Sequence, residues 1–282
     1  MENIAAKYIP IRDGWLDLSR PKIMGILNVT PDSFYAGSRK TEEKEIVERI
    51  HQIMEEGGDL IDIGAYSSRP DAADVSPEEE MQRLRKGLKL IHAEYPEAVV
   101  SVDTFRADVA RMCVEEYGVD LVNDISSGDM DPDMLPTVAA LRVPYIMMHM
   151  QGTPQDMQHH PYYTDLMQEI LAYFTRKIEQ ARALGIENLI LDPGFGFGKT
   201  LQHNYELMNR MEELQQFRLP ILVGISRKSM IYKLLGGTPK EALNGTTVLN
   251  TVSLMKGADM LRVHDVKAAA EVVRIYKALQ GK

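Results

Sequence analysis

Residues 189–200 read LILDPGFGFGKT: three apolar residues and a carboxylate, a proline, then glycines alternating with phenylalanines ahead of Lys199. Proline has no N–H to give to a strand ladder. The stretch therefore reads as a short buried strand that ends on Asp192 and opens into a loop. Glycine serves where backbone must pass close to something or take a positive φ. Two better-known glycine loops are excluded. A phosphate P-loop needs glycine at 193, which is proline, and a dinucleotide fingerprint needs G-x-G-x-x-G, whereas the spacing here is G-x-G-x-G. The expectation is that Asp192 holds a ligand at the strand end while the Phe-Gly run shapes the wall beside it. A plain surface turn is the competing reading.

The same unit recurs on both sides. Apolar runs at 23–29 (IMGILNV), 60–64 (LIDIG), 99–103 (VVSVD), 121–125 (LVNDI), 143–150 (VPYIMMHM), 189–192, 221–225 (ILVGI) and 260–263 (MLRV) alternate with helix-length amphipathic segments. Thr41 is the expected cap of the first helix, and Ser76-Pro77 opens the second in the favoured cap-then-proline order. Later helices are expected over 165–184, 203–217 and 240–256, with a closing helix ending at Leu279. Near-continuous apolar strands separated by helices call for a parallel sheet covered on its outer side. Eight such units in 282 residues favour a single-domain (β/α)8 TIM barrel, preceded by a short lead over 1–21, above an open doubly wound sheet.

Bulk properties narrow the class. A net charge of −9 with scattered basic residues argues against nucleic acid and anionic membrane as partners. The single cysteine, Cys113, cannot form an internal disulfide, the N-terminus lacks a signal-peptide pattern, and no apolar run is long enough to span a bilayer. A soluble cytoplasmic protein is expected.

Polar residues sit where the strands end: Asn28, Asp62, Asp103, Asn123 with Asp124, His149, Asp192, Lys228, and Arg262 with His264. In a barrel those ends meet at one face, where barrel enzymes build their active sites. Taken singly, Asp62, Asp124 and Asp265 read as capping or turn residues. Together the set is too large for caps, and unpaired buried polar groups cost several kcal/mol, so a polar ligand, a metal or mutual pairing is needed. Asp103, Asn123 and Asp192 suit a heterocycle with several N–H donors. Arg69, Lys228, Arg262 and His264 suit a phosphorylated group. Asn28 offers a hard oxygen for Mg²⁺. No zinc-type cluster and no nucleophile–base spacing stands out.

The segments MGILNVTPDSF (24–34), SVDT (101–104), VNDIS (122–126), MHMQGTP (148–154), LDPGFGFGKT (191–200), SRKS (226–229) and RVHDV (262–266) together resemble the dihydropteroate synthases, in order and each at a strand end. The resemblance implies a (β/α)8 transferase of folate synthesis. Such an enzyme joins 4-aminobenzoate to 6-hydroxymethyl-7,8-dihydropterin diphosphate and releases diphosphate. It further implies that Asp103, Asn123, Asp192 and Lys228 hold the pterin ring, with Met147 or Met148 packed beside it. Arg262 and His264 would grip the diphosphate, with Asn28 on Mg²⁺. Ser68 and Arg69 would lie on a closing loop, Phe34 on a companion loop, Phe195 in the aminobenzoate pocket, and Ser229 at a helix start suited to a carboxylate. A homodimer and a sulfonamide target are implied as well. Lys199 is expected to lie outside the diphosphate site.

The chain departs from the family pattern in two loops. GAYSSRPD (64–71) stands for the usual GGESTRPG, keeping a hydroxyl at Ser68 and the Arg69-Pro70 pair, and Tyr35-Ala36-Gly37-Ser38 follows Phe34 in place of Ser-Asp-Gly-Gly. Three rivals share parts of the pattern. A pterin-dependent methyltransferase would keep the ring contacts without needing Arg69, Lys228, Arg262 and His264. A barrel aldolase would use Lys228 as a Schiff base. A non-catalytic pterin binder would have no need of Lys228, Arg262 and His264.

Overall fold

The computed structural model describes residues 8–29, 38–66, 75–157 and 160–281. A two-stranded antiparallel hairpin, β1 (Tyr8–Ile11) and β2 (Gly14–Asp17), precedes the barrel. The barrel strands are β3 (Lys22–Asn28), β4 (Leu60–Gly64), β5 (Val100–Asp103), β6 (Leu121–Asp124), β7 (Tyr145–Met148), β8 (Leu189–Asp192), β9 (Leu222–Val223) and β10 (Met260–Val263). All pair in parallel, in the order β8-β7-β6-β5-β4-β3-β10-β9. The ring closes between β8 and β9 through a parallel bridge of Leu191 with Ile221, where the Leu191 N–H donates to the Pro220 carbonyl at 2.9 Å. The eight-stranded barrel read from the sequence is therefore present.

Helices cover the outside: α1 (Ser38–Glu55), α2 (Pro77–Glu94), α3 (Ala107–Tyr117), α4 (Met134–Leu141), α5 (Leu166–Ala183), α6 (Leu201–Arg210), α7 (Ser229–Leu235), α8 (Leu243–Met255) and α9 (Val266–Leu279). Ser76 caps α2, its hydroxyl accepting from the Glu79 N–H, and Asp165 caps α5 through the Gln168 N–H. Thr41 is no cap, since α1 already begins at Ser38. Helix α6 starts at Leu201 rather than at His203. The Thr200 hydroxyl accepts from the His203 N–H at 3.1 Å, while His203 Nδ1 accepts from the Thr200 N–H at 3.3 Å. A histidine thus fills the position where a capping box usually shows Glu or Gln, and that signal was missing from the sequence.

Strand alternation builds the site. Met24, Leu60, Leu121, Ile146, Ile190, Leu222 and Met260 form one apolar layer in the lumen, and the hairpin residues Ile9 and Leu16, with Leu18 just beyond, pack beneath it as a floor. Side chains two residues further along a strand point the same way. Two steps on from that layer stand Asp62, Asn123, Met148, Asp192, Gly224 and Arg262. One barrel face is thereby apolar and sealed, and the other polar and open. Three carboxylates tie down the lower strand starts: Asp59 accepts from the Ile23 N–H, Asp120 from Val100 and Asp259 from Ile221, each at 2.9 Å.

Candidate active site

At the centre of the polar face lies one guanidinium between two carboxylates. Arg262 donates from Nε to Asp62 at 2.6 Å and from a terminal nitrogen to Asp103 at 2.6 Å. Asp62 is fully buried, and the Asn123 amide nitrogen lies 3.3 Å and 3.4 Å from its two oxygens. With that nitrogen toward a carboxylate, the Asn123 amide oxygen is the atom available to a ligand. Burial works against the Arg262 charge, but Asp62 and Asp103 more than reverse it and keep the guanidinium protonated. Burial also pushes the Asp103 carboxyl up, resisted by Arg262 and reinforced by Asp62.

Asp62 is thus neither a cap nor a turn residue. The sequence signal was its place inside the apolar strand LIDIG, where a carboxylate has no helix end to cap. Asp124 does serve its own turn, accepting from the Ser126 and Gly128 N–H groups, each at 2.7 Å, and from the Tyr145 hydroxyl at 2.6 Å. Asp265 precedes α9 without a side-chain capping bond. Instead it takes a two-point ion pair from Arg227, both bonds 2.8 Å, which joins the segment carrying Lys228 to the one carrying His264.

Asp192 lies across the mouth, 5% exposed. Burial raises its carboxyl, while Lys228, the Gly194 N–H at 2.7 Å and Arg262 pull it back. Lys228 holds the cap position of α7, immediately before Ser229. Its ammonium donates to the Phe195 carbonyl and lies 4.5 Å from the centre of the Phe197 ring. Burial lowers the Lys228 amine to about 8, with Asp192 working in the opposite direction.

The two phenylalanines have separate duties. Phe195, expected in the aminobenzoate pocket, is fully buried within the main core cluster; only its carbonyl reaches the site. Phe197 is half-buried and joins Phe105, Ile125, Met148, Met130, Met150 and Tyr66 in a small apolar group at the rim. Of the two candidate methionines, Met148 belongs to that rim and Met147 to the main core. Tyr66, where the family pattern has Glu, packs edge-on against Phe105 at 5.0 Å and accepts from the Gln155 amide at 3.3 Å.

His264 is exposed at the rim. Its backbone N–H donates to the Ser226 hydroxyl at 3.1 Å, and its Nδ1 lies 3.1 Å from the same oxygen. The recess of the mouth and the neighbouring Arg262 push its ring down to about 4, so the imidazole is neutral at physiological pH. Asn28 is exposed at the end of β3. No cluster of metal-binding side chains occurs among the described residues. His149 is buried, with its Nδ1 2.9 Å from the Lys199 amine. Phe34, Ser68 and Arg69, with most of both atypical loops, lie outside the described residues.

The fold and mouth define a (β/α)8 barrel enzyme that presents clustered carboxylates and an amide beside fixed cations. The profile of the family described as "Pterin binding enzyme" matches residues 24–264. Dihydropteroate synthase of Escherichia coli strain K12 is 44% identical over 265 residues, 93% of each chain. The crystal structure of Yersinia pestis dihydropteroate synthase with a sulfonamide drug complex superposes with a TM-score of 0.87 at 42% identity, covering 97% of this chain and 99% of that one. Xanthomonas albilineans dihydropteroate synthase with 4-aminobenzoic acid gives 0.87 at 37% identity, with 95% and 96% covered. The chain belongs to the pterin-binding enzyme family and, within it, to the dihydropteroate synthases, transferases of folate biosynthesis.

Proposed function

We propose that this chain forms 7,8-dihydropteroate from 6-hydroxymethyl-7,8-dihydropterin diphosphate and 4-aminobenzoate, with a division of labour set by the mouth. The carrying observation is the cluster of Asp103, Asn123 and Asp192 acceptors around one guanidinium. Those three groups take the N–H edge of the pterin ring, and Met148 packs beside it. Arg262 is committed to Asp62 and Asp103, so its first duty is to hold the ring acceptors in place, and the N–H groups these bonds leave over are the ones it can offer the substrate. Lys228 donates to the ring from the opposite side and lies against Phe197, the wall along which the aminobenzoate ring lies. Ser229, at the start of α7, would meet the carboxylate of the second substrate; for Ser68, Arg69 and Phe34 the roles in diphosphate and aminobenzoate binding rest on family resemblance.

In the reaction the C–O bond of the pterin methylene breaks, its electron pair leaving on the diphosphate. The lone pair of the aryl amine then forms the C–N bond, and one amine proton is shed to solvent or to the departing diphosphate. No protein nucleophile is required. Positioning and fixed charge carry the rate, as preorganised donors do in general. Neutral His264 serves the leaving group as a hydrogen-bond donor in the tautomer that carries its hydrogen on Nε2, with Nδ1 accepting from the Ser226 hydroxyl. The exposed amide oxygen of Asn28 suits Mg²⁺, an ion that takes few protein ligands and completes its shell with water and phosphate. Bound there, the ion would offset diphosphate charge.

Two copies of the chain would associate through α7 and α8, where Leu234, Leu235, Val248 and Met255 are exposed, and the enzyme would work in the cytoplasm. Among the described residues no helix is long and apolar enough to cross a membrane. The deciding experiment is an assay of dihydropteroate formation from the two substrates with and without Mg²⁺. Product that depends on the ion supports the reading. Transfer of a methyl group from methyltetrahydrofolate to a corrinoid, without dihydropteroate, would sink it.

A further inference from the structure

The loop after β8 is organised from beneath by a residue that the reaction itself does not use. Lys199 is 3% exposed. Its amine donates to the carbonyls of Gly194 at 2.9 Å, Phe197 at 3.1 Å and His149 at 3.3 Å, and lies 2.9 Å from His149 Nδ1. An amine buried among carbonyls and a ring nitrogen, lowered to about 7 by that burial, costs more desolvation than a methionine of similar length. What it achieves is convergence, since it gathers both sides of the Phe195-Gly196 tip onto the end of β7. Gly194 and Gly198 make that approach possible. Both have positive φ, and a Cβ would strike the His149 carbonyl in one case and the Gln151 carbonyl in the other.

The upper side of the same loop touches the groups assigned to the substrates. The Phe195 carbonyl accepts from Lys228, and the Phe197 ring stands 4.5 Å from that ammonium. Asn204, accepting from the Gly196 N–H at 2.6 Å, and the Tyr163 hydroxyl, donating to Gly198 at 2.8 Å, brace the loop from outside.

We propose that Lys199 is a positioning residue that sets, through the Phe195–Phe197 turn, where the Lys228 ammonium and the Phe197 wall stand. The inference rests on the reading above that Lys228 and Phe197 meet the two substrates. It makes Lys199 a determinant of second-substrate binding without any contact to that substrate.

The test compares Lys199→Met and Lys199→Gln with the unaltered enzyme. Four quantities are read: KM for 4-aminobenzoate, kcat, the alkaline limb of the pH profile of kcat/KM, and the thermal midpoint. Released from its staple, the wall should misplace the amine, raising KM by about 10–100-fold in the methionine variant. Lys228 should become more solvated, moving the alkaline limb up by about one pH unit. Lys199→Gln, which retains two N–H donors, should recover part of both. Unchanged KM and an unmoved limb overturn the proposal whatever the thermal midpoint does. So does failure of both variants to fold, which would make Lys199 a stability element only. If the unaltered enzyme forms no dihydropteroate, the reaction reading fails instead. Calorimetry of 4-aminobenzoate binding then decides, and equal affinity in variant and unaltered protein overturns the role of Lys199.

Discussion

Asp62 and Arg262 are 200 residues apart in sequence and 2.6 Å apart in the barrel. Each comes from the second lumen layer of its strand, and the carboxylate is fully buried. Breaking a buried pair leaves an uncompensated charge, which typically costs about 3–5 kcal/mol. Asp62→Ala should lower unfolding stability by that amount in a urea titration. A loss below about 1 kcal/mol, the range of exposed pairs, would show that the pair is wetter than its burial implies.

The second carboxylate on Arg262 behaves differently. Asp103 is pushed up to about 7 by burial, against the pull of the Arg262 guanidinium and with the help of Asp62, so its charged form is held against the environment. A carboxyl whose folded value is raised disfavours folding once the pH passes its unfolded value near 3.8. Asp103→Asn should leave the thermal midpoint unchanged or raise it by about 2–4 °C, the shift that roughly 1 kcal/mol gives at this size. Turnover should fall in the same variant. Calorimetry and the product assay check both halves, and a lower midpoint refutes the argument.

On the far side of the ring site, Asp192→Asn should weaken binding of a pterin lacking the diphosphate by about 1.5–3 kcal/mol, as expected for a hydrogen bond to a charged group. Unaltered affinity by titration calorimetry would mean that Asp192 is not a ring ligand.

Lys228 fixes the alkaline behaviour. Its amine is lowered to about 8 by burial, so the ammonium donor is lost as pH rises through that value. The kcat/KM profile, which reports the free enzyme, should fall above about pH 8. In Lys228→Met the remaining activity should lack that limb. A limb that survives the substitution belongs to another group.

The two phenylalanines of the loop separate cleanly. Phe195→Ala empties a core position and should cost about 3–5 kcal/mol of stability. Phe197→Ala should leave stability within about 1 kcal/mol and instead raise KM for 4-aminobenzoate. Reversal of the two outcomes would restore Phe195 to the pocket.

The barrel was legible because eight apolar runs end on polar residues at helix-length spacing, and the strands lie within a few residues of where those runs place them. That Asp103, Asn123, Asp192 and Lys228 gather at one barrel face was legible for the same reason. For Asp62 only the misfit was legible, a carboxylate inside an apolar strand; its partner was not, because Arg262 stands at the other end of the chain. Phe195 and Phe197 sit in one repeating dipeptide. Which ring turns inward depends on the loop path set by Gly194, Lys199 and Asn204, and no local spacing encodes that. The hairpin was also hidden, since its strands are four residues each and Pro10 interrupts the first.

Between β8 and β9 the barrel is joined by its thinnest seam. Strand β9 is two residues long, and a single bridge, Leu191 with Ile221, links the two edges. Asp192 follows directly on one side of that seam, and Lys228 hangs from the other. A pterin held by both would act as a rivet, clasping the two edge strands together beside that bridge. Ring binding across this bridge would then add its binding energy to the cost of parting the two strands.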